Sequence, residues 1–126
     1  MAMHPRHSSP SSATMPESLS VARLRAALGI SRERMGRVLD VSARTIQRWE
    51  DNDQLPSNRW VANVLIDLDR ITELGLDVFT PEGFRIVMND PQPVFGGKSG
   101  LEMIEDGNAD DVFGEFAGVY EGYIGT

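Results

Sequence analysis

Between Leu24 and Glu50 the apolar residues fall at the spacing of two short helices joined by a tight turn, and no other stretch constrains the fold as strongly. Met35, Val38 and Leu39 share one face of the first helix, and Ile46 and Trp49 share one face of the second. Ser31 and Ser42 each stand just before one of these runs, where a side-chain oxygen can cap a helix start. Gly36 lies where two steeply crossing helices come close, and a bulky side chain there would hold them apart. Upstream, Val21, Leu24 and Leu28 repeat at helical spacing and Gly29 stops the run. Three helices can then share one small core.

This arrangement leaves Arg44 and Arg48 in solvent, four apart and on one face of the second helix, with Gln47 beside them. Arginine reads guanine through two hydrogen bonds, and glutamine reads adenine in the same way. Ser42 and Ala43, at the amino end of that helix, can approach a phosphate or a thymine methyl, and Thr45 completes the candidate contacts. Arg32, at the start of the preceding helix, stands where a phosphate contact is expected. DNA is therefore the expected partner of this half. The plainer alternative is a solvated basic face on an ordinary helical bundle.

The pattern resembles the Xre/Cro-like family of helix-turn-helix regulators over about residues 19–56. Met35, Gly36, Leu39, Val41, Ser42, Thr45, Ile46, Trp49 and Glu50 carry the resemblance. It departs at Asp40, where the family usually has glycine at the turn; aspartate tolerates the left-handed conformation better than most residues.

Composition limits the remainder. A chain of 126 residues with 40% hydrophobic content permits one compact domain or two small ones. No apolar run approaches the roughly 18 residues of a membrane span. Cysteine is absent, so disulfides and thiolate metal sites are excluded, and a cytoplasmic address is the default. Residues 1–18 are rich in serine and proline and lack an apolar signal-peptide core, which predicts a disordered tail. His4 and His7 in that tail are a weak metal hint without further ligands. The net charge of -7 hides an asymmetry: residues 1–60 carry nine arginines against six acids, and residues 61–126 carry three basic side chains against thirteen acidic ones. The first half suits phosphate; the second suits a basic protein partner or plain solubility.

The second half opens after Leu55-Pro56-Ser57, a turn expected to stop one helix and cap the next. Val61, Val64, Leu65, Leu68, Ile71 and Leu74 then form an apolar stripe that Gly75 should end, giving a connecting helix over 57–75. That stripe could pack within the chain or against a second copy, and DNA readers of this type commonly bind as dimers, so a homodimer is expected. Thr80-Pro81-Glu82 starts a helix through Phe84, Val87 and Met88, which Asn89-Asp90-Pro91 breaks. Ser99 and Glu102 form a capping box. After a turn at Asp106-Gly107-Asn108, a last helix from near Ala109 should bury Val112, Phe113, Phe116, Val119 and Tyr120, leaving Glu121–Thr126 as a flexible tail. Gly114, Gly118 and Gly122, four apart, each cost about 1 kcal/mol of helix propensity. They imply close approach by another element or a helix ending early.

Enzyme-like motifs fail on inspection. Gly97-Lys98-Ser99 resembles the end of a phosphate-binding loop, but the earlier glycine that motif requires is Gln92 here, and no apolar strand precedes it. Asp106, Asn108 and Asp110 suggest a calcium loop whose required glycine and glutamate are Asp111 and Ala117. Both histidines lie in the tail, which leaves no nucleophile-base pair. No catalytic residue, metal or cofactor is expected.

The order of the pieces, with the Pro93-Val94-Phe95-Gly96-Gly97-Lys98-Ser99 turn and a glycine-ended final helix, resembles antitoxins of the Xre/MbcA/ParS type. The two resemblances together cover about residues 19–126. They imply an all-α protein in which a helix-turn-helix bundle at 19–56 is linked to a small toxin-binding domain at 76–126. Such a protein would dimerise, neutralise a toxin by contact and repress its own operon. The toxins of that family are commonly RES-domain proteins that consume NAD, and the antitoxin tail is implied to lie in or over the active-site cleft. The toxin contacts implied are Phe95, Gly96, Gly97, Lys98 and Ser99 in the turn, and Tyr120, Glu121, Tyr123, Ile124, Gly125 and Thr126 at the end. Tyr120, Tyr123 and Ile124 are large groups for an acidic terminus to expose, and Glu121 and the carboxylate of Thr126 could mimic dinucleotide phosphates in a basic cleft. A stand-alone regulator sensing through residues 76–126 is the competing function, and a remote enzyme the third.

Overall fold

The computed structural model describes residues 19–125, and side chains as far as Gly122. The described residues are all-α: α1 (Val21–Leu28), α2 (Arg32–Leu39), α3 (Ala43–Asp51), α4 (Arg59–Val78), α5 (Pro81–Asn89), α6 (Gly100–Glu105) and α7 (Ala109–Gly125), with one 3₁₀ turn at Pro93–Phe95. The serine and proline tail expected over residues 1–18, with His4 and His7, lies outside the described residues.

Short polar side chains set the helix starts by accepting from backbone N–H groups that have no helical partner. Ser31 Oγ accepts from the Arg34 amide and Ser42 Oγ from the Thr45 amide, each at 3.1 Å. Each such cap is worth about 1 kcal/mol. Ser99 and Glu102 form the reciprocal capping box expected of them. The cap of α4 is Asn58 and not Ser57: Asn58 Oδ1 accepts from the Val61 amide, so the helix starts one residue later. Asp40 takes the left-handed conformation at φ 58°, as the turn between α2 and α3 requires.

Gly36 shows why that turn is tight. A Cβ there would lie 2.5 Å from the Val41 carbonyl oxygen, so the close approach is to the turn entering α3. Met35, Leu39 and Ile46 are fully buried around it, and Trp49 nearly so. Glu50 then ties the three helices together. Its carboxylate accepts from Arg25 Nε at 2.6 Å and from Arg32 Nε at 2.9 Å, and its side chain is only 6% exposed. The Arg25 guanidinium holds the Glu50 carboxyl below its ordinary range; burial opposes this and Arg32 assists it.

Gly75 does not end α4, which continues to Val78. The glycine instead makes room: a Cβ would lie 2.5 Å from the Phe84 ring and 3.2 Å from that of Phe116. Phe116 meets Phe79 and Phe84 edge-to-face, with centroids 5.2 and 6.4 Å apart.

The charge boundary near residue 60 is not a packing boundary. One apolar cluster runs from Leu19 through Leu28 and Met35 to Leu101 and Phe116. α1 packs on α4 and α5, and α2 packs on α6. Asn89 Nδ2 donates to the Leu28 carbonyl at 2.9 Å, and Arg34 pairs with Glu105 across the α2–α6 contact.

The end of the chain departs most from expectation. α7 runs to Gly125, so Glu121 belongs to a helix and not to a flexible tail. Val112 and Phe116 are buried, and the Arg70 guanidinium lies 4.9 Å over the half-buried Phe113 ring. Val119 and Tyr120 are 42% and 37% exposed, against the expectation that they were core. The physical reason is length: α4, the main support of α7, ends at Val78, and the adjoining Phe79 already meets Phe116. A Cβ at Gly114, Gly118 or Gly122 would meet nothing within 4 Å. Among the described residues, no close packing accounts for Gly114 and Gly118, and the helix does not end at either.

Candidate functional site

α2 and α3 present a concave surface. Ser31, Arg32 and Glu33 at the start of α2 and Ala43, Arg44 and Gln47 on α3, with Arg25 behind, line an open cleft of about 550 Å³. The amino ends of α2 and α3 both adjoin it. Each contributes unpaired backbone N–H groups and the positive end of a helix dipole, which favours an anion such as phosphate.

On α3 the side chains of Arg44, Gln47 and Arg48 are exposed, as expected from their spacing. Ile46 and Trp49 bury the opposite face, which fixes this one outward. Ser42 is exposed at the cap, and Ala43 and Thr45 are half-buried. The Ser42 and Thr45 hydroxyls lie 3.0 Å apart, so Thr45 supports the helix start. Arg32 differs from expectation in being already committed: Glu50 holds its Nε, and the guanidinium is fixed in the cleft wall with its side chain 41% exposed.

The expected contacts of the second half separate into two kinds. Phe95 and Ser99 are buried, the first in the core and the second as the α6 cap, so neither offers a surface. Gly96 and Gly97 are exposed in left-handed conformations at φ 67° and 90°, as a turn closed by the Gln92–Lys98 bridge demands. Lys98 pairs with Asp106, whose carboxylate raises the Lys98 pKa. The amides of Gly96, Gly97 and Lys98 donate inward to the Pro93, Gln92 and Phe95 carbonyls. A phosphate cradle would need those amides free. Tyr120 and Glu121 stand exposed on α7. The side chains of Tyr123 and Ile124, with Gly125 and all of Thr126, lie outside the described residues for any statement of contact.

No protein-family model matches the sequence, and no curated protein matches it. Among solved structures, a chain of the M. tuberculosis MbcT-MbcA toxin-antitoxin complex is similar, with a TM-score of 0.68 and 22% identity. The match covers 81% of this chain and 91% of that one. The two chains share one fold.

The fold singles out two further residues. Glu50 is conspicuous only once Arg25 and Arg32 are brought beside it by the fold. Trp60, in the first turn of α4, is 61% exposed, the most exposed large apolar side chain among the described residues. A signal existed for it: Trp60 falls off the Val61, Leu65, Leu68 stripe. No helix among the described residues is long and apolar enough to cross a membrane. Among the described residues no group of three or more potential metal ligands is gathered.

Proposed function

We propose that this chain is the antitoxin of a toxin-antitoxin pair and represses its own operon. The observation that carries this reading is the shared fold with a chain of the MbcT-MbcA complex, extending over both halves of the sequence. The exposed α3 face and the open cleft beside it support the DNA-binding part. Arg44, Gln47 and Arg48 read the operator, while the helix starts at Ser31 and Ser42 hold its phosphates.

The partner is a RES-domain toxin that consumes NAD, bound directly. A cleft that takes an anionic dinucleotide is basic, and the half of this chain beyond residue 60 carries thirteen acids against three bases. The last turns of α7 cover that cleft, with Tyr120 and Glu121 among the contacts and the residues after Gly122 continuing into it. Gly114 and Gly118, exposed on α7 with open space where a Cβ would stand, leave room for close approach by the toxin. The Gly96–Lys98 turn adds a second contact.

Co-expression of the neighbouring open reading frame with and without this chain tests the reading. Growth arrest and NAD loss should appear with the neighbour alone and vanish when the full chain is present. Deletion of Gly122 to Thr126 should restore the arrest while the shortened protein keeps its helical content. Full protection by the shortened chain sinks the active-site reading.

A further inference from the structure

We infer that Glu50 is a positioning residue for DNA: it holds the Arg32 guanidinium as a fixed fork that grips one backbone phosphate of the duplex. The inference rests on the DNA-binding reading and adds to it a residue too buried to touch the duplex itself. Two arginines share the Glu50 carboxylate, and they are not equivalent. Arg25 is satisfied within the chain: Nε and Nη2 donate to Glu50 at 2.6 and 3.2 Å, and Nη1 donates to the Ile30 carbonyl at 3.0 Å. Arg32 donates to Glu50 through Nε alone, at 2.9 Å. Among the described residues no acceptor meets its two Nη groups, and its side chain lines the open cleft, 41% exposed. A guanidinium is planar, so pinning Nε fixes the plane and leaves the Nη pair as a two-pronged donor. That geometry takes two oxygens of one phosphate.

Stability alone is a weak reason for this arrangement. Glu50 is 6% exposed, and the cost of burying a carboxylate largely offsets what its ion pairs contribute. A fixed fork gains at binding instead. A free surface arginine loses its rotamer freedom when it grips phosphate, and one already held has less to lose. Glu50 with Arg25 and Arg32 carries one net positive charge, and the free donors belong to Arg32. Glu33, exposed in the same cleft, disfavours a loose anion there. The fork therefore suits a phosphate brought by the duplex that α3 engages, since Arg44 and Gln47 line the same cleft.

The full chain and its variants should be titrated over a range of salt concentrations against two duplexes, the sequence preceding its own reading frame and a random one of equal length. Arg32→Ala should weaken binding to both about tenfold and lower the slope of log affinity against log salt by about one, as loss of one phosphate contact does. Arg32→Lys keeps the charge but cannot fork, so it should keep the slope and lose most of the affinity that alanine loses. Glu50→Gln decides by sign. Removing an acid from a DNA-binding face ordinarily tightens binding, whereas removing a positioning residue weakens it. Several-fold weakening is expected, measured where circular dichroism shows the variant folded. In an Arg32→Ala chain the same substitution should cost nothing further. Glu50→Gln binding as tightly as the native chain overturns the inference. So does an equal Glu50→Gln loss with and without Arg32, which makes Glu50 structural only, or an Arg32→Lys chain that matches the native one. A native chain that binds through Arg44 and is indifferent to Arg32→Ala removes the inference and leaves the DNA-binding reading standing. A native chain that binds neither duplex removes both.

Discussion

Glu50 and Asp67 are two carboxylates whose surroundings push them in opposite directions, and pH separates their effects. Arg25 keeps Glu50 ionised below the usual range, so its contribution is present above about pH 4.5 and is lost as pH falls through its depressed value. Glu50→Gln removes the charge from hydrogen bonds to two guanidinium groups and should cost about 2 kcal/mol at pH 7. In urea titrations the gap between the two proteins should narrow toward pH 3; a gap independent of pH would show that packing, not charge, holds Glu50. Asp67, on α4 facing α7, has its pKa raised by burial, with Arg70 opposing and Asp110 adding to the rise. A raised carboxyl contributes most below its ordinary range and opposes folding once ionised. Asp67→Asn should therefore raise the melting temperature at pH 7 and do so less at pH 3. An equal gain at both values would refute the assignment to charge.

Helix starts were legible in the sequence because capping is local: Ser31, Ser42, Thr80 and Ser99 do their work within three residues. Glycine was misread for the opposite reason. Gly75 carries the sign of a helix stop, yet the space it provides is for Phe84 and Phe116, which come from elements distant in sequence. Gly75→Ala should gain about 1 kcal/mol of helix propensity but lose more, about 1 to 3 kcal/mol, to overpacking. Gly118→Ala, where the added Cβ meets nothing, should keep the whole gain. Denaturation midpoints that move the same way for both would contradict this account of α4 and α7. The exposure of Arg44, Gln47 and Arg48 was legible because it follows from helical period alone, whereas the commitment of Arg32 to Glu50 needed the fold. For α3 itself, Arg44→Ala and Arg48→Ala should each weaken operator binding by about 1 to 3 kcal/mol while leaving random duplex less affected. Equal losses on both duplexes in a binding titration would limit these arginines to phosphate contact.

Across the whole molecule, charge divides what packing joins. The basic first half and the acidic second half read as two modules in the sequence, since charge is visible there and the partners of Leu28, Met35 and Leu101 are not. In the fold α2 rests on α6 and α1 on α5, and the Asn89 amide closes on the Leu28 carbonyl. α3, by contrast, packs chiefly on α2 and α1, and α7 chiefly on α4 and α6, so the surfaces proposed for DNA and for toxin stand on different helices of a common core. A common core unfolds as one unit, because opening the second half strips cover from the first. Trp49 emission, which reports the packing of α1 to α3, and far-UV circular dichroism, which reports every helix, should therefore lose signal at one urea midpoint. Trp60, exposed in the single chain, changes its surroundings little on unfolding and leaves Trp49 to dominate the emission change. If dichroism falls first while Trp49 stays native, α1 to α3 are independently stable and the shared core adds nothing to them. Coincident curves mean that a ligand holding α7 also holds α3 against unfolding, since anything that binds only the native chain stabilises all of it.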